Sequence, residues 1–343
     1  MPISNFVRVL VICVSVQLIA ASAGQGETVE EFYRGKTVTL NLGQPEGASW
    51  ALYARTAARF LGDYIPGKPT VIVQFMPGAG GVVASNYVYN VAARDGSVIG
   101  IPMNTAIVYA AREPSQVKFD PRNFNWLGSM AVVQDVISVW HTSPVKTLEE
   151  ARKTEIIMGA TGRAANSYED TALVSRLLGV KFKIVLGYKG GNEINLAMER
   201  GEVQGRATAW EGWTASNPDW LRDKKVIHLV QLGPKKLPEI GDNVPLLRDL
   251  ITDSDDLKIV DFLGLSLATG RALYAPPGVP MDRVAGLRTA FEKMMVSKDY
   301  QTEAKARLLD TETWQTGAEI ETRIREGFNI SPELIERAAK LLE

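Results

Sequence analysis

The stretch Thr70-Val71-Ile72-Val73-Gln74-Phe75-Met76-Pro77-Gly78-Ala79-Gly80-Gly81-Val82-Val83 decides how this chain is read. Five of its first six residues are β-branched or aromatic, with no breaker, the signature of a strand. Three glycines in the four positions 78–81 let main chain approach a ligand closely. The run that follows predicts a helix to Val91, with Val83, Tyr87 and Val91 on one face. A helix start offers unpaired N–H groups and the positive end of a dipole, so strand, turn and helix make an anion site without a charged side chain.

Upstream, Arg8 is the only charge before Glu27, Val9 to Ala20 is apolar, and Ala21-Ser22-Ala23 has the small-x-small form of a cleavage site. The apolar run is too short to span a bilayer, so residues 1–23 read as a secretory signal peptide cut after Ala23, with the protein exported. Removal of Arg8 leaves 37 basic and 39 acidic residues, a net charge of −2. No basic patch or tail stands out, which argues against a nucleic-acid partner. The one cysteine, Cys13, lies in the leader, so the remaining chain needs no disulfide. His141 and His228 stand apart from any carboxylate cluster, which disfavours a histidine metal site.

Downstream, strand-like and helix-like runs alternate, the pattern of an α/β fold with a mainly parallel sheet. Thr37–Gly43, Val98–Pro102, Val132–Trp140, Ile156–Gly159, Phe182–Leu186 and Val226–Leu232 read as strands. Trp50–Leu61, Asn104–Ala111, Ser167–Leu178 and Glu193–Glu199 read as helices, and the chain beyond Met281 is almost wholly helical. Thr147-Leu148-Glu149-Glu150 carries the T-x-x-E capping box of a helix start. Pro144, soon after a long strand, and the phrase from Tyr274 to Pro280 are candidate crossovers. They divide the chain into one domain of 24–142 plus 273–343 and a second of 143–272.

Apparent catalytic motifs dissolve on inspection. Gly35-Lys36-Thr37 precedes a strand where a phosphate-binding loop must follow one, and position 30 is Glu30. Val83 occupies the third glycine position of a dinucleotide fingerprint. Ser143-Pro144-Val145-Lys146 lacks the companion motifs of serine acyl-enzymes, and no G-x-S-x-G elbow occurs. The expectation is a binding protein with no catalytic residue, metal or cofactor. Three further turns repeat the opening logic: Gly43–Ser49, Ala160–Ser167 and Tyr188–Asn192. Singly each is an ordinary βα connection, but four small, polar strand-to-helix loops mark the edge where open α/β sheets bind ligands.

These phrases resemble one family. Pro77-Gly78-Ala79-Gly80-Gly81, Arg94-Asp95-Gly96, Ala160-Thr161-Gly162, Tyr188-Lys189-Gly190 and Ala275-Pro276-Pro277-Gly278-Val279-Pro280 occur in the order seen in solute receptors of tripartite tricarboxylate transporters, the Bug family of periplasmic binding proteins. The resemblance implies a bilobal periplasmic binding protein fold of type II-like form, two α/β domains joined by two crossover strands, with a small organic carboxylate in the cleft. It implies a monomer that delivers its solute to membrane permease subunits. On one side the carboxylate would meet Gly78, Ala79, Gly80 and Gly81. On the other it would meet Thr161, Gly162, Arg163, Ala164, Ala165 and Asn166, with Tyr188, Lys189 and Gly190. Gly47, Ala48, Ser49 and Trp50 belong to the cleft by position.

The chain also departs from the family. The first loop usually reads P-G-G with an aspartate that some members use for an amine; here Pro45-Glu46-Gly47 offers only Glu46, which disfavours an amine-bearing solute. Arg163 sits where small or polar residues are usual, and Arg206 precedes Trp210 and Trp213 near a segment that reaches the cleft in relatives. Arginine suits bidentate carboxylate recognition, so Arg163 or Arg206 is a candidate clamp for a diacid. Trp50, Trp210 and Trp213 are candidate walls for an aromatic acid, against the alternative that they pack the core or hinge. A periplasmic sensor subunit that docks on a signalling kinase, and an enzyme on the same scaffold, are the competing functional readings.

Overall fold

The computed structural model describes residues 27–343 except Ala48, Gln116 and Ala164. The expected leader and its cleavage site lie outside the described residues.

The chain opens with α1 (Val29–Tyr33), then β1 (Thr37–Leu42), α2 (Ser49–Tyr64), β2 (Thr70–Phe75), α3 (Val82–Asn90), β3 (Val98–Ile101), α4 (Asn104–Arg112) and β4 (Asn125–Ser129). It continues with β5 (Asp135–Trp140), α5 (Leu148–Lys153), β6 (Ile156–Gly159), α6 (Asn166–Leu178), β7 (Phe182–Val185), α7 (Gly191–Glu199) and β8 (Gly205–Ala209). Then come α8 (Glu211–Thr214), α9 (Pro218–Arg222), β9 (Val226–Leu232) and α10 (Ser254–Thr269). The last elements are β10 (Ala272–Ala275), α11 (Met281–Val296), α12 (Lys298–Ala306), β11 (Gln315–Thr316), α13 (Gly317–Gly327) and α14 (Pro332–Leu341).

Two sheets form, one per lobe. The first has the order β11-β4-β10-β3-β1-β2 and the second β7-β6-β8-β5-β9. Apart from the short β11, both follow one plan: a parallel trio, then a strand contributed by the chain as it crosses from the other lobe, then an outer strand. This is the bilobal arrangement expected from the sequence. The expectation of a mainly parallel sheet is corrected. β1 runs parallel to β2 and β3, and β6 parallel to β7 and β8, but β10 is antiparallel to β3 and β4, and β5 is antiparallel to β8 and β9. A strand that enters a sheet directly from the other lobe has no helical crossover to reverse it, so it runs against its neighbours. β5 already belongs to the second sheet, so the chain changes lobe at 130–134 and the expected division at 142/143 falls one strand too late.

The two crossings touch. Met130 N–H donates to the Arg271 carbonyl (3.1 Å) and Arg271 N–H to the Ala131 carbonyl (2.8 Å). Gly270 between them has φ +55°, and a Cβ there would stand 1.9 Å from the Ala131 carbonyl oxygen. Gly270→Ala is therefore expected to cost about 1–3 kcal/mol of folding free energy through backbone strain and overpacking. Chemical denaturation measures it, and a wild-type midpoint would refute the close approach.

Lobe one is packed around β1, where Val38, Leu40 and Leu42 are fully buried on one face. Helix α3 buries Val82, Ala84, Ser85 and Val88, not the predicted stripe: Val83 is 45% and Val91 70% exposed. The helix begins at Val82 as expected but presents the neighbouring face, a choice that two consecutive valines, Val82 and Val83, leave open. Another correction concerns the C-terminal segment. Ala338 and Leu342, from and just past α14, join Ile137, Leu173, Phe262 and Val108 in a single apolar cluster, so the chain end packs on lobe two. Helix α10, absent from the sequence reading, supplies much of that cluster; Asp253 caps it by accepting from the N–H groups of Asp255 and Asp256.

Candidate functional site

Register places the strand ends side by side. Leu42 at the end of β1 pairs with Phe75 at the end of β2 and with Ile101 at the end of β3. The first loop, the glycine turn and Met103 therefore gather at one edge. Glycine is needed for that gathering: a Cβ on Gly43 would lie 2.5 Å from Gly81 Cα, and one on Gly81 would lie 2.2 Å from Met103 Cγ. The turn itself is left-handed in part, with φ +148° at Gly78, +45° at Ala79 and +89° at Gly81.

The helices that start at this edge lack side-chain caps, as do α8, α9 and α11. No side chain caps α3 at Gly81, α4 at Met103, α6 at Ala165 or α7 at Gly190. Elsewhere Thr28, Thr147, Asp253, Ser297, Thr316 and Ser331 cap their own helices. The helices that follow strand ends in both lobes thus start without a side-chain cap, an arrangement that can receive an anion.

In lobe two the structure assigns the expected residues specific tasks. Asn166 opens α6, its Nδ2 donating to Asp135 Oδ2 (2.9 Å) and its Oδ1 accepting from Ser167 N–H (2.9 Å). Thr161 N–H donates to Ser167 Oγ (3.2 Å), and Ala165 N–H to the Gly162 carbonyl (3.1 Å). Lys189 N–H donates to the Glu193 carboxylate (2.5 Å), so the chain's own acid occupies that turn amide before Gly190. The Tyr188 ring lies over Gly159, 3.3 Å from where a Cβ would stand. Ser49 starts α2, Glu46 pairs outward with Arg55, and Ala48 and Ala164 lie outside the described residues.

Neither candidate clamp arginine is offered to the cleft. Arg163 is exposed and donates to the Tyr168 hydroxyl (2.9 Å) and the Glu343 main-chain oxygen (2.6 Å). Arg206 is buried beneath the fourth loop, donating to the Gly191 carbonyl (2.7 Å) and Asn195 Oδ1 (3.0 Å); burial pulls its pKa down to about 10. The tryptophans pack the fold. Trp213 is fully buried, Trp210 sets its ring edge-on to His228 at 5.3 Å, and Trp50 lies beneath the Arg271 guanidinium at 4.0 Å.

A cavity of about 850 Å³ opens beside these strand ends, and both lobes reach it through Asn104 after β3 and Asn166 after β6. Of the residues expected from sequence, Asn166 is on its wall; the glycine turn is not among the lining residues. Glu169 and Asp170 line it too, and neither stands out in the sequence. Glu169 pairs with Arg112 at 2.6 Å, joining α6 of lobe two to α4 of lobe one. Glu211 pairs with Arg271 at 3.8 Å at the crossing. Burial pushes the carboxyls of Glu169 and Glu211 up, opposed by those arginines. The one visible signal was Asp135, a charge inside the apolar run from Val132 to Trp140. Among the described residues no group of three His, Cys, Asp or Glu side chains is placed to hold a metal ion.

The chain shares its fold with solved periplasmic binding proteins. A TctC solute-binding protein from Polaromonas superposes with a TM-score of 0.67 over 90% of this chain and 99% of its own, at 16% identity. BugD, a periplasmic binding protein, gives 0.64 over 90% and 98%, at 17% identity. MatC from Rhodopseudomonas palustris with bound malate gives 0.62 over 90% and 99%, at 20% identity. At these identities the likeness is one of fold. No protein-family model matches the chain, and no curated protein matches it in sequence.

Proposed function

We propose that this chain is a divergent Bug-type receptor that works in the periplasm, closes its lobes on a small organic carboxylate and hands it to permease subunits of a tripartite transporter. One observation carries the reading: the helices that follow parallel strands, α3 and α4 in one lobe and α6 and α7 in the other, start without side-chain caps. A carboxylate there takes hydrogen bonds from main-chain N–H groups, each worth about 1.5–3 kcal/mol when the partner is charged. Hinge closure removes competing water and strengthens them. The malate bound in MatC supports the choice of a carboxylate. The expected clamps and aromatic walls are committed to the fold, so the proposal names an organic acid without preferring a diacid or an aromatic one.

Calorimetry with malate, adipate and benzoate tests this. At least one is expected to bind the wild type. Gly80→Val, in the centre of the turn, should weaken that binding more than tenfold, about 1.4 kcal/mol. A folded variant with unchanged affinity, or a wild type that binds none of the three, would overturn the reading.

A further inference from the structure

Seven charged side chains meet around the cavity and the lobe crossing: Asp135, Glu169, Asp170 and Glu211 against Arg112, Arg206 and Arg271. Arg112 holds Glu169 and Arg271 holds Glu211. Arg206 feels the charge of Asp135 from beneath. Asp170 is left over. Its Oδ2 and Asp135 Oδ1 are both buried with no donor, while Asn166 serves the other oxygen of Asp135. Two adjoining buried carboxyls cannot both carry charge unaided: one takes a proton or a cation comes between them. Burial and the Asp135 charge accordingly hold the Asp170 carboxyl well above the usual range.

Asp170 also stands on the cavity wall, which places this uncompensated acid beside the space a ligand would fill. Beyond it the cavity is aliphatic, with Leu173, Leu263 and Leu267 along it. The remaining charges on the wall do not favour an anion. Asp255 pairs with Lys258 (2.9 Å) and Asp261 with Arg248 (2.7 Å), Arg323 donates to Gln315, and Glu326 and Glu333 add negative charge.

We propose that this cavity is a binding site for an organic ammonium, its cationic head seated on Asp170 beside Asp135 and its apolar chain laid along Leu173, Leu263 and Leu267. Place and charge separate this site from the glycine turn. The absence of an acid in the first loop, which disfavoured an amine, does not bear on it, because the acid comes from α6. The ammonium displaces the shared proton, and that proton leaves to solvent. Glu169 and Glu211 keep their arginines, so Asp170 is the source.

The experiment titrates n-hexylammonium, which carries no carboxylate, into the protein at pH 6 in two buffers of different ionisation enthalpy. Binding is expected, with heats that differ between buffers because a proton is released. Asp170→Asn keeps a donor toward Asp135 but removes the charge; it should bind hexylammonium at least tenfold more weakly and lose the buffer dependence. Its affinity for whichever acid the wild type binds should stay within twofold, so failure of the carboxylate reading and failure of this one are read separately. Equal hexylammonium affinity in Asp170→Asn, heats identical in both buffers, or no hexylammonium binding to the wild type would overturn the proposal.

Discussion

Arg112→Ala is expected to lower the folding free energy by about 3–5 kcal/mol, the usual consequence of stranding one partner of a buried ion pair. The Arg112 and Glu169 side chains are only 6% and 12% exposed and meet at 2.6 Å. Without Arg112, the Glu169 carboxyl loses the charge that opposes its burial and must take up a proton or admit water. Replacing both partners by methionine should recover most of the loss, because two apolar side chains of similar volume leave no buried charge. Urea denaturation of the single and double variants makes the comparison. A single-variant loss below 1 kcal/mol, or a double variant as unstable as Arg112→Ala, would show that the pair is effectively solvated.

The second large effect is acid destabilisation through His228. Its Nδ1 lies 2.8 Å from Ser138 Oγ on the neighbouring strand, and burial pulls its pKa down from 6.5 to about 4. The unfolded chain binds that proton more readily than the folded one. The contribution to stability is thus fully present above pH 6.5 and is lost as pH falls toward 4, reaching about 3 kcal/mol at the low end. Asp170 works in the opposite sense, since a carboxyl raised by folding stabilises at low pH and loses that contribution as pH rises. The His228 term is therefore read as a difference between proteins. His228→Gln should lose less stability than wild type between pH 7.5 and 4.5, by about 2.5 kcal/mol. Parallel stability curves across that window would refute the assignment.

Local chemistry was legible wherever a residue acts on its near neighbours. The capping box at Thr147 was read from four letters and forms as written, with Thr147 Oγ1 accepting from Glu150 N–H and the Glu150 carboxylate accepting in return. The glycine turn after Phe75 was read from its composition, and its left-handed angles are those that glycine favours. Helix α10 was missed although Asp253 caps it, because LGLSLA at its C-terminal end shows no polar face: nearly every side chain there is buried. A helix apolar all round gives no 3.6-residue signal.

What the sequence determined by itself was the strand, turn and helix units of each lobe. Those follow from side-chain shape and hydrogen bonding over a few residues. The tertiary structure alone decided the direction of β5 and β10, since antiparallel entry depends on which lobe a strand comes from. It also decided which charges are free. Arg163 is bonded to Glu343, 180 residues away, and Arg112 is paired with Glu169, 57 residues away, while Asp170 Oδ2 is left without a donor. Electrostatic pairing depends on distance and burial in space, and neither is encoded in the spacing of residues along the chain.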